Sequence, residues 1–311
     1  MKLKALILFS GGLDSILAAK ILMKQGIKIT ALNFKSYFFG PEEAEKAAKN
    51  LGIKLKVVDF SKEHFKMVKS PKYGYGSSMN PCIDCHILML KKAKEIMKKE
   101  KFGFVATGEV LGERPMSQNR KTLELIEKES SLKGYLLRPL SAKKLEETIP
   151  EKKKKISRQK LLNISGRFRK RQIELAQKWG IRKYPFPAGG GLLTDLEFGE
   201  KLKQLFEKYP KCNENDIELL KLGRHFWCEA GERIKIIVGR NHEENLRIKK
   251  LARKTDIVME MKNYPGPTSL IRNYAKKKKI LTKDLERAKF LTKYYSTKAR
   301  SKADVKFVFL S

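Results

Sequence analysis

Acidic residues and cysteines are both scarce in this chain. Its 311 residues include 34 Asp or Glu against 69 Lys or Arg, which gives a formal net charge of +35. This imbalance makes a polyanion, and nucleic acid above all, the expected partner. With only 4 cysteines, the composition does not favour a disulfide-stapled fold. We expect a cytoplasmic protein whose reduced thiols serve chemistry or bind metal.

Long apolar runs are absent as well. The N-terminal apolar stretch is interrupted at Ser10, by two glycines and at Asp14. It is therefore much shorter than the roughly 20 apolar residues that cross a membrane, and it lacks the arrangement of a secretory signal. We expect no association with membranes, and the sequence leaves the oligomeric state open.

The first half of the chain alternates between apolar runs typical of buried strands and amphipathic helical patterns. This alternation predicts an α/β domain over residues 1–150, built on a doubly wound, mainly parallel sheet. Ligands of such sheets bind at the carboxyl ends of the strands. The predicted strands are Leu3–Phe9, Ile27–Phe34, Ile53–Phe60, Phe102–Thr107 and Tyr135–Leu140. The predicted helices include Ile16–Lys24, Glu42–Leu51 and Cys85–Lys98.

A strongly basic segment with helical and turn-rich patterns follows at residues 151–222. Between residues 151 and 183 there are thirteen Lys or Arg and two Glu. A solvated helix face would explain an ordinary run of charge. Here, however, Phe168 lies inside the basic run and Trp179 and Tyr184 lie near it, which adds rings on which bases can stack. We therefore predict RNA contacts from Arg167, Arg169, Lys170 and Arg171.

The last segment, residues 223–311, has a different pattern. Short strand-like runs with two helical stretches predict a smaller α+β domain. The predicted strands are His225–Cys228, Arg233–Val238, Asp256–Met261, Ser269–Arg272 and Val305–Leu310, and the predicted helices are near Glu243–Ala252 and Lys283–Tyr294. This pattern by itself is too general to indicate a function.

The most informative stretch is Ser10-Gly11-Gly12-Leu13-Asp14-Ser15, between the first predicted strand and the first predicted helix. A strand, a turn with two glycines and a helix N-terminus present backbone N–H groups to an anion. The lysine of a Walker A loop is missing, so a mononucleotide P-loop fits poorly. The stretch therefore predicts a phosphate-binding turn of another kind.

A second chemical motif is Asn80-Pro81-Cys82-Ile83-Asp84-Cys85-His86. At the start of a helix, a C-x-x-C pair is expected to have thiols of lowered pKa, and its two sulfurs can share a metal or carry sulfur. Three interpretations remain open. The pair is half of a zinc site completed by Cys212 and Cys228, or a thioredoxin-like redox pair, or a centre for sulfur transfer or iron–sulfur ligation.

Together, the two motifs resemble the tRNA thiouridine synthases of the PP-loop ATP-pyrophosphatase superfamily. The resemblance covers roughly residues 1–210 and implies a domain like those of the adenine nucleotide α-hydrolases. It implies that ATP and Mg²⁺ activate a uridine carbonyl oxygen of tRNA as its adenylate, that pyrophosphate leaves, and that sulfur replaces the oxygen. Further blocks that resemble the family are 106–109, 112–118, 138–140, 166–172 and 187–195.

The resemblance also implies roles for individual residues. Cys82, Cys85 and Asp14 are the candidate catalytic residues, with Asp14 as a Mg²⁺ ligand and the cysteine pair as candidate ligands of a [4Fe–4S] cluster or zinc. A sulfur donor, either sulfide or a persulfide carrier, is implied as a further partner. The candidate nucleotide-binding residues are Ser10, Gly11, Gly12, Asp14, Ser15, Asn33, Phe34, Thr107 and Gly108.

One departure from the family pattern affects the metal. The block that begins at residue 187 continues with cysteine in the family, whereas this chain has Gly191. A cluster held by three thiolates would lack one ligand here, unless His86 or one of the remaining cysteines replaces it. The alternatives are a persulfide on the C-x-x-C pair, a cluster held in another way, and loss of sulfur transfer.

The C-terminal segment resembles the RNA-binding domain of NFACT-type proteins. The similar blocks are 238–245, 265–269 and 295–300, although the family's Gly-Ser-His stands here as Pro267-Thr268-Ser269. Two other functions remain open: another PP-loop ligase, of lysidine or deazaguanine type, and an RNA-binding protein that keeps ATP binding without sulfur transfer. The candidate RNA contacts in this segment are Arg240, Asn241, Lys298 and Arg300.

Overall fold

The computed structural model describes residues 3–185, 191–228, 233–275 and 280–310. The chain divides into two compact units, Met1–Asp195 and Leu196–Ser311. The division into three segments at residues 150 and 222 stays a prediction. Within the described residues, no helix combines the length and the apolar character needed to cross a membrane.

The first unit is built on a five-stranded sheet in which every strand pair is parallel. The strand order is β3-β2-β1-β4-β5. This arrangement confirms the predicted doubly wound α/β fold, and each strand lies inside its predicted run or within one residue of it. The strands are β1 (Lys4–Leu8), β2 (Lys28–Lys35), β3 (Lys54–Asp59), β4 (Phe104–Ala106) and β5 (Leu136–Leu137).

Helices cover both faces of this sheet. Because side chains alternate along a strand, Ala5 and Ile7 of β1 enter one apolar core while Leu6 enters the other. Helix α4 begins at Cys82, three residues before the predicted start. The helices are α1 (Leu13–Met23), α2 (Glu42–Leu51), α3 (Ser61–Lys69), α4 (Cys82–Lys99), α5 (Arg120–Glu129), α6 (Ile149–Lys152) and α7 (Lys170–Lys178), with short 3₁₀ turns at Ala142–Lys144, Arg158–Lys160 and Gly191–Thr194.

The first part of the basic segment, residues 151–195, belongs to this unit. Ile156, Leu161, Ile164 and Ala176 are buried in the same core as α1. The charged side chains of the segment alternate with these apolar anchors, so the backbone is held against the sheet domain. This packing allows its arginines to reach the edge of the sheet where ligands bind.

The second unit contains a separate antiparallel sheet of order β10-β8-β9-β7-β6 and confirms the predicted α+β architecture. Its central strand β9 carries Arg272, which is buried and pairs with Asp216 at 2.8 Å and Asp256 at 2.7 Å. The elements are α8 (Leu196–Lys208), α9 (Glu214–Leu220), β6 (Arg224–Trp227), β7 (Ile234–Val238), α10 (His242–Leu251), β8 (Ile257–Met261), β9 (Ser269–Asn273), α11 (Thr282–Tyr294) and β10 (Phe307–Leu310).

Candidate functional site

A glycine turn links β1 to α1 and shapes the loop Ser10–Ser15. Gly11 has a φ of +82°, and a Cβ atom on it would lie 2.3 Å from the carbonyl oxygen of Glu43, so only glycine fits there. Ser10 Oγ accepts a hydrogen bond from the amide of Gly12 at 3.3 Å, and Ser15 Oγ donates to the Gly12 carbonyl at 2.8 Å. The turn therefore places two hydroxyls beside the amides at the start of α1, where an anion is favoured.

The loop opens into a cavity of about 540 Å³ next to β1, β2 and β4. Because the strand order reverses around β1, this is the crevice in which ligands of doubly wound sheets bind. Both cysteines of the C-x-x-C pair and Gly191 line it, as do all the predicted nucleotide-binding residues except Gly11. The fold therefore gathers two motifs that are far apart in the sequence.

The chain that leaves β4 forms the part of the cavity wall next to the loop. A Cβ atom on Gly108 would lie 2.6 Å from the amide nitrogen of Ser15 and 2.7 Å from the carbonyl carbon of Asp14. Gly108 therefore lets this segment pack directly on the first turn of α1. The predicted contact of Thr107 and Gly108 with a nucleotide stays a prediction, and both residues line the cavity.

Two carboxylates and one arginine meet at the mouth of the loop. Arg169 Nη2 lies 3.0 Å from Asp14 Oδ2, and Arg169 Nε lies 3.6 Å from Glu113 Oε1. Burial raises the pKa of Asp14 and of Glu113 above the ordinary carboxyl values, and the Arg169 guanidinium opposes both shifts. Within the described residues, Asp14 Oδ1 is buried and has no hydrogen-bond partner. Such an oxygen is a suitable ligand for Mg²⁺.

The end of β2 supplies a polar group and an aromatic floor. Asn33 Nδ2 donates to the Phe9 carbonyl at 2.9 Å, which fixes the amide and leaves Oδ1 buried and unpaired in the described part of the chain. Phe34 is buried and packs on Phe60 with ring centroids 4.9 Å apart. This arrangement suits a flat ring that carries a hydrogen-bond donor on its edge.

The C-x-x-C pair lies on the first turn of α4. Asp84, between the two cysteines, accepts hydrogen bonds from the amides of Lys72 at 2.9 Å and Tyr73 at 3.0 Å, and so ties the preceding loop to the helix. Asn80 Nδ2 donates to Cys82 Sγ at 3.2 Å. The contacts of Asp84 and Asn80 hold Cys82 at the junction of the loop and the helix.

Cys85 has a different environment from the one expected. Its Sγ lies 3.5 Å from His64 Nε2, and burial raises the pKa of its thiol to about 12. The expectation of a lowered pKa is therefore wrong for Cys85, because loss of solvation outweighs the favourable field of the helix terminus. His64 itself is fully buried, stacks on Phe60, and has a pKa lowered to about 4 by burial. It stays neutral at neutral pH.

The residues around the C-x-x-C pair give little support to an iron–sulfur cluster or a zinc site. Within the described ranges, no three His, Cys, Asp or Glu side chains are grouped so that they could hold a metal ion. Cys212 and Cys228 belong to the second unit and are buried there. Gly191 has a φ of +67°, which a cysteine would adopt only with strain. A cluster held by three thiolates therefore does not fit the described residues.

Sequence reasoning missed a network that links His86 of α4 to Glu109 and Arg138, and both His86 and Glu109 line the cavity. Glu109 Oε1 lies 2.8 Å from His86 Nδ1, and its Oε2 accepts from Arg138 Nε and from Thr107 Oγ1, both at 2.9 Å. Burial alone would raise the pKa of Glu109, but Arg138 and His86 hold it well below its usual range. The motifs that carry these residues were visible in the sequence, but nothing in their spacing showed that they meet.

The predicted RNA contacts fall into three groups: exposed side chains, one side chain in the cavity, and two side chains engaged in local contacts at α10. Arg167, Lys170 and Arg171 are exposed, and Arg171 Nη1 donates to Asn163 Oδ1 at 2.9 Å. Arg169, in contrast, points into the cavity. In the second unit, Arg240 pairs with Glu244, and the side chain of Asn241 caps α10 by accepting from the Glu244 amide at 2.9 Å. The remaining predicted contacts, Lys298 and Arg300, are exposed.

Fold and site together define a doubly wound α/β protein with an anion-binding glycine turn and a cysteine pair in one crevice, joined to an α+β unit. Residues 1–161 match the family model described as thiamine biosynthesis protein (ThiI), which is more than half of the chain. The chain belongs to this family. Residues 223–310 match the model described as NFACT protein RNA binding domain. Both resemblances predicted from the motifs are confirmed.

Curated relatives are named as tRNA thiouridylases and tRNA sulfurtransferases. A tRNA-specific 2-thiouridylase MnmA of Caldicellulosiruptor saccharolyticus is 28% identical over 207 residues, which is 58% of this chain and 53% of that protein. A probable tRNA sulfurtransferase of Anoxybacillus flavithermus is 32% identical over 119 residues, which is 35% of this chain and 29% of that protein. The chain thus spans only about a third to a half of the length of such relatives.

Among solved structures, a 4-thiouridine synthetase–RNA complex with bound ATP aligns with 70% of this chain and 52% of its own, at 20% identity and a TM-score of 0.44. A predicted subunit of tRNA methyltransferase from Methanocaldococcus jannaschii aligns with 44% of this chain and 67% of its own, at 22% identity and a TM-score of 0.34.

Proposed function

We propose that this protein is an ATP-dependent tRNA sulfurtransferase that adenylates a uridine carbonyl oxygen, releases pyrophosphate and installs sulfur from a cysteine. The observation that carries the proposal is that the glycine turn and the C-x-x-C pair line one cavity of about 540 Å³. Membership of the ThiI family and the names of the curated relatives support it. We place the reaction in the cytoplasm, where thiols stay reduced.

In this proposal, the amides at the start of α1 and the hydroxyls of Ser10 and Ser15 bind the β- and γ-phosphates of ATP. Arg169 leaves its carboxylate partners and pairs with the phosphates, since a guanidinium binds phosphate oxygens well. The unpaired Oδ1 of Asn33 accepts a hydrogen bond from the adenine amino group, and Phe34 supplies the floor. Mg²⁺ bound by Asp14 would offset the charge of the pyrophosphate leaving group.

The first chemical step joins the uridine oxygen to the α-phosphorus. The oxygen attacks the α-phosphate of ATP, the bond to the β-phosphate oxygen breaks, and pyrophosphate leaves with the electron pair. The product is an adenylated base whose carbon is open to a nucleophile. Since the cysteine pair lines the same cavity, the activated carbon does not need to move to a second site.

We assign sulfur carriage to Cys82 and resolution to Cys85. A persulfide on Cys82 attacks the activated carbon with its terminal sulfur, and AMP leaves with the electron pair of the broken C–O bond. Cys85 then attacks Cys82 Sγ, which forms the Cys82–Cys85 disulfide and releases the new sulfur on the base. A thiol reductant must then reduce the disulfide, and a persulfide donor must transfer its outer sulfur to Cys82. Burial raises the pKa of the Cys85 thiol to about 12, which makes Cys85 the poorer sulfur carrier of the two. As Cys85 attacks Cys82 Sγ, its proton passes to the departing thiouridine.

Exposed cations would hold the tRNA by its phosphates. Arg167, Lys170 and Arg171 extend from the start of α7 beside the cavity, and Lys298 and Arg300 lie on the second unit. RNA helices are recognised mainly through phosphates and shape, because their base edges are hard to reach. We assign Arg169 to ATP and not to RNA. Arg240 and Asn241 stabilise the start of α10, and we expect residues near them to contact the RNA.

The proposal is tested by mass spectrometry of tRNA nucleosides. The protein is incubated anaerobically with a full tRNA pool, ATP, Mg²⁺, a persulfide donor and a thiol reductant. The expected result is a thiouridine that requires ATP and is lost in Asp14→Asn. A wild-type reaction without thiouridine, in a preparation shown to bind ATP, would refute the proposal. A lysine-containing nucleoside formed in a parallel reaction with added lysine would instead favour a lysidine-type ligase, and bound zinc with no sulfur on the product would favour the deazaguanine type.

A further inference from the structure

The outer face of α11 exposes two aromatic rings to solvent. Phe290 is 63% exposed and Tyr294 is 46% exposed. They lie one helical turn apart, and their rings are nearly parallel, with centroids 5.9 Å apart and planes inclined by 23°. The buried face of α11 uses other residues, among them Ala288 and Leu291. The two rings are therefore not needed for the packing of the helix.

A cation packs against one of these rings, and a second cation packs against the neighbouring Tyr295. The Arg300 guanidinium lies 4.9 Å from the centroid of the Tyr294 ring, and its Nε donates to the Tyr294 carbonyl at 2.7 Å. Tyr295 stands at 90° to Tyr294 with centroids 5.0 Å apart, and the Arg224 guanidinium lies 4.4 Å from its centroid. The chain from residue 196 to 311 contains 28 Lys or Arg against 15 Asp or Glu. An apolar patch in a field of this sign suits an anionic ligand with flat apolar faces.

We propose that Phe290, Tyr294 and Arg300, which we call the α11 platform, bind unpaired nucleotides of an RNA strand by stacking on their bases. Aromatic rings and arginine planes accept any base by its face, while nearby cations hold the phosphates. In a duplex the base faces are covered by their neighbours, so the platform distinguishes single strands from helices. The identity of the RNA as a tRNA rests on the proposed function; the stacking surface rests on the geometry of α11.

The platform is tested by fluorescence anisotropy on the full-length protein. The probes are a labelled ten-nucleotide oligouridylate and a blunt RNA duplex with the same number of phosphates. Phe290→Ala and Phe290→Leu are each expected to weaken binding of the single strand about tenfold, in line with the energy of one base–aromatic stack. Binding of the duplex changes little. The control is Phe309→Ala, which removes another ring of the same unit that is 51% exposed and is expected to bind as the wild type does.

Salt dependence separates stacking from charge. Because Phe290 carries no charge, its removal lowers the affinity without changing the slope of log Kd against log salt, whereas Lys298→Ala reduces that slope. Equal thermal unfolding of Phe290→Leu and wild type shows that the fold is intact. The inference is overturned if Phe290→Leu binds the single strand like the wild type, or if both probes lose affinity equally.

The two proposals fail in different ways. The binding assay contains neither ATP nor a sulfur donor. A protein that needs Phe290 for single strands but forms no thiouridine refutes the proposed function and leaves the platform standing. A protein that forms thiouridine but binds single strands equally with or without the Phe290 ring refutes the platform alone.

Discussion

Arg169 Nη2 lies 3.0 Å from Asp14 Oδ2, although the two residues are 155 positions apart in the sequence. The pair joins the segment before α7 to the first turn of α1, at the point where a triphosphate would lie. Nε of the same guanidinium reaches Glu113 at 3.6 Å. This arginine is therefore held beside the loop Ser10–Ser15 by two carboxylates. In the proposed function, the phosphates of ATP take over the guanidinium and Mg²⁺ takes over Asp14.

Replacement of Arg169 is the first prediction. Arg169→Ala should raise the Kd for ATP about tenfold to a hundredfold, because a charge-assisted hydrogen bond contributes about 1.5–3 kcal/mol. Arg169→Lys should recover part of this loss, since a point charge replaces a planar fork. The control is Arg167→Ala, which removes an exposed neighbour and should affect RNA binding alone. Titration of ATP by calorimetry gives the comparison; equal ATP affinity in Arg169→Ala and wild type would contradict the assignment.

The second prediction concerns the glycine turn. Gly11→Ala should destabilise the first unit by more than about 2 kcal/mol, because a Cβ would lie 2.3 Å from the Glu43 carbonyl oxygen and φ is +82°. Gly26→Ala is the matched control: φ is +73°, but nothing lies within 4 Å of the added carbon. It should cost about 1 kcal/mol. Urea unfolding measures both, and equal losses would show that the close approach to Glu43 has no effect.

The third prediction concerns thiol reactivity. Burial raises the pKa of Cys85 to about 12, so at pH 8 only about one molecule in ten thousand carries the thiolate that reacts. Iodoacetamide should therefore label Cys82 well before Cys85 in the native protein. Peptide mapping by mass spectrometry resolves the two sites after digestion. In urea both thiols are solvated, so the two cysteines should be labelled at similar rates. Labelling of Cys85 before Cys82 in the native protein would refute the assignment of sulfur carriage to Cys82.

The fourth prediction is a pH dependence in the second unit. Burial lowers the pKa of Lys235 from the ordinary 10.5 to about 7. Between pH 7 and 10.5 the unfolded chain binds a proton at this site that the native chain does not. The free energy of unfolding should therefore rise with pH across this range, by up to about 1.4 kcal/mol per unit. Below pH 7 both states are protonated and the contribution is constant.

Lys235→Met isolates this effect. The variant should be more stable than the wild type at pH 7, and its free energy of unfolding should lack the rise that the lysine contributes. Urea unfolding of both proteins between pH 6 and 10 gives the difference directly. A difference between the two proteins that does not change with pH would mean that Lys235 keeps its proton in the folded state. The control is Lys302→Met at an exposed position, which should leave the profile unchanged.

Local features of the fold and site were predictable, whereas long-range pairings were not. Apolar runs predicted the strands, and the glycine turn and C-x-x-C pair were read as chemical motifs, because each depends on neighbouring residues. The partners of Arg169 and the meeting of Glu109, His86 and Arg138 depend on tertiary packing. An arginine run has the same appearance in a sequence whether it faces RNA or buried carboxylates. The raised pKa of Cys85 likewise depends on burial, which its place at a helix start did not reveal.

The central claim is that adenylation and sulfur transfer share one cavity. It is tested most directly by a single-turnover reaction of tRNA with α-labelled ATP and persulfide-loaded protein, in which AMP and thiouridine are measured together for the wild type and for Cys82→Ser. The account predicts one AMP per thiouridine in the wild type. In Cys82→Ser it predicts pyrophosphate release with the adenylate retained on the RNA and no thiouridine. Thiouridine formed at the wild-type rate by Cys82→Ser, or pyrophosphate release that does not require tRNA, would contradict it.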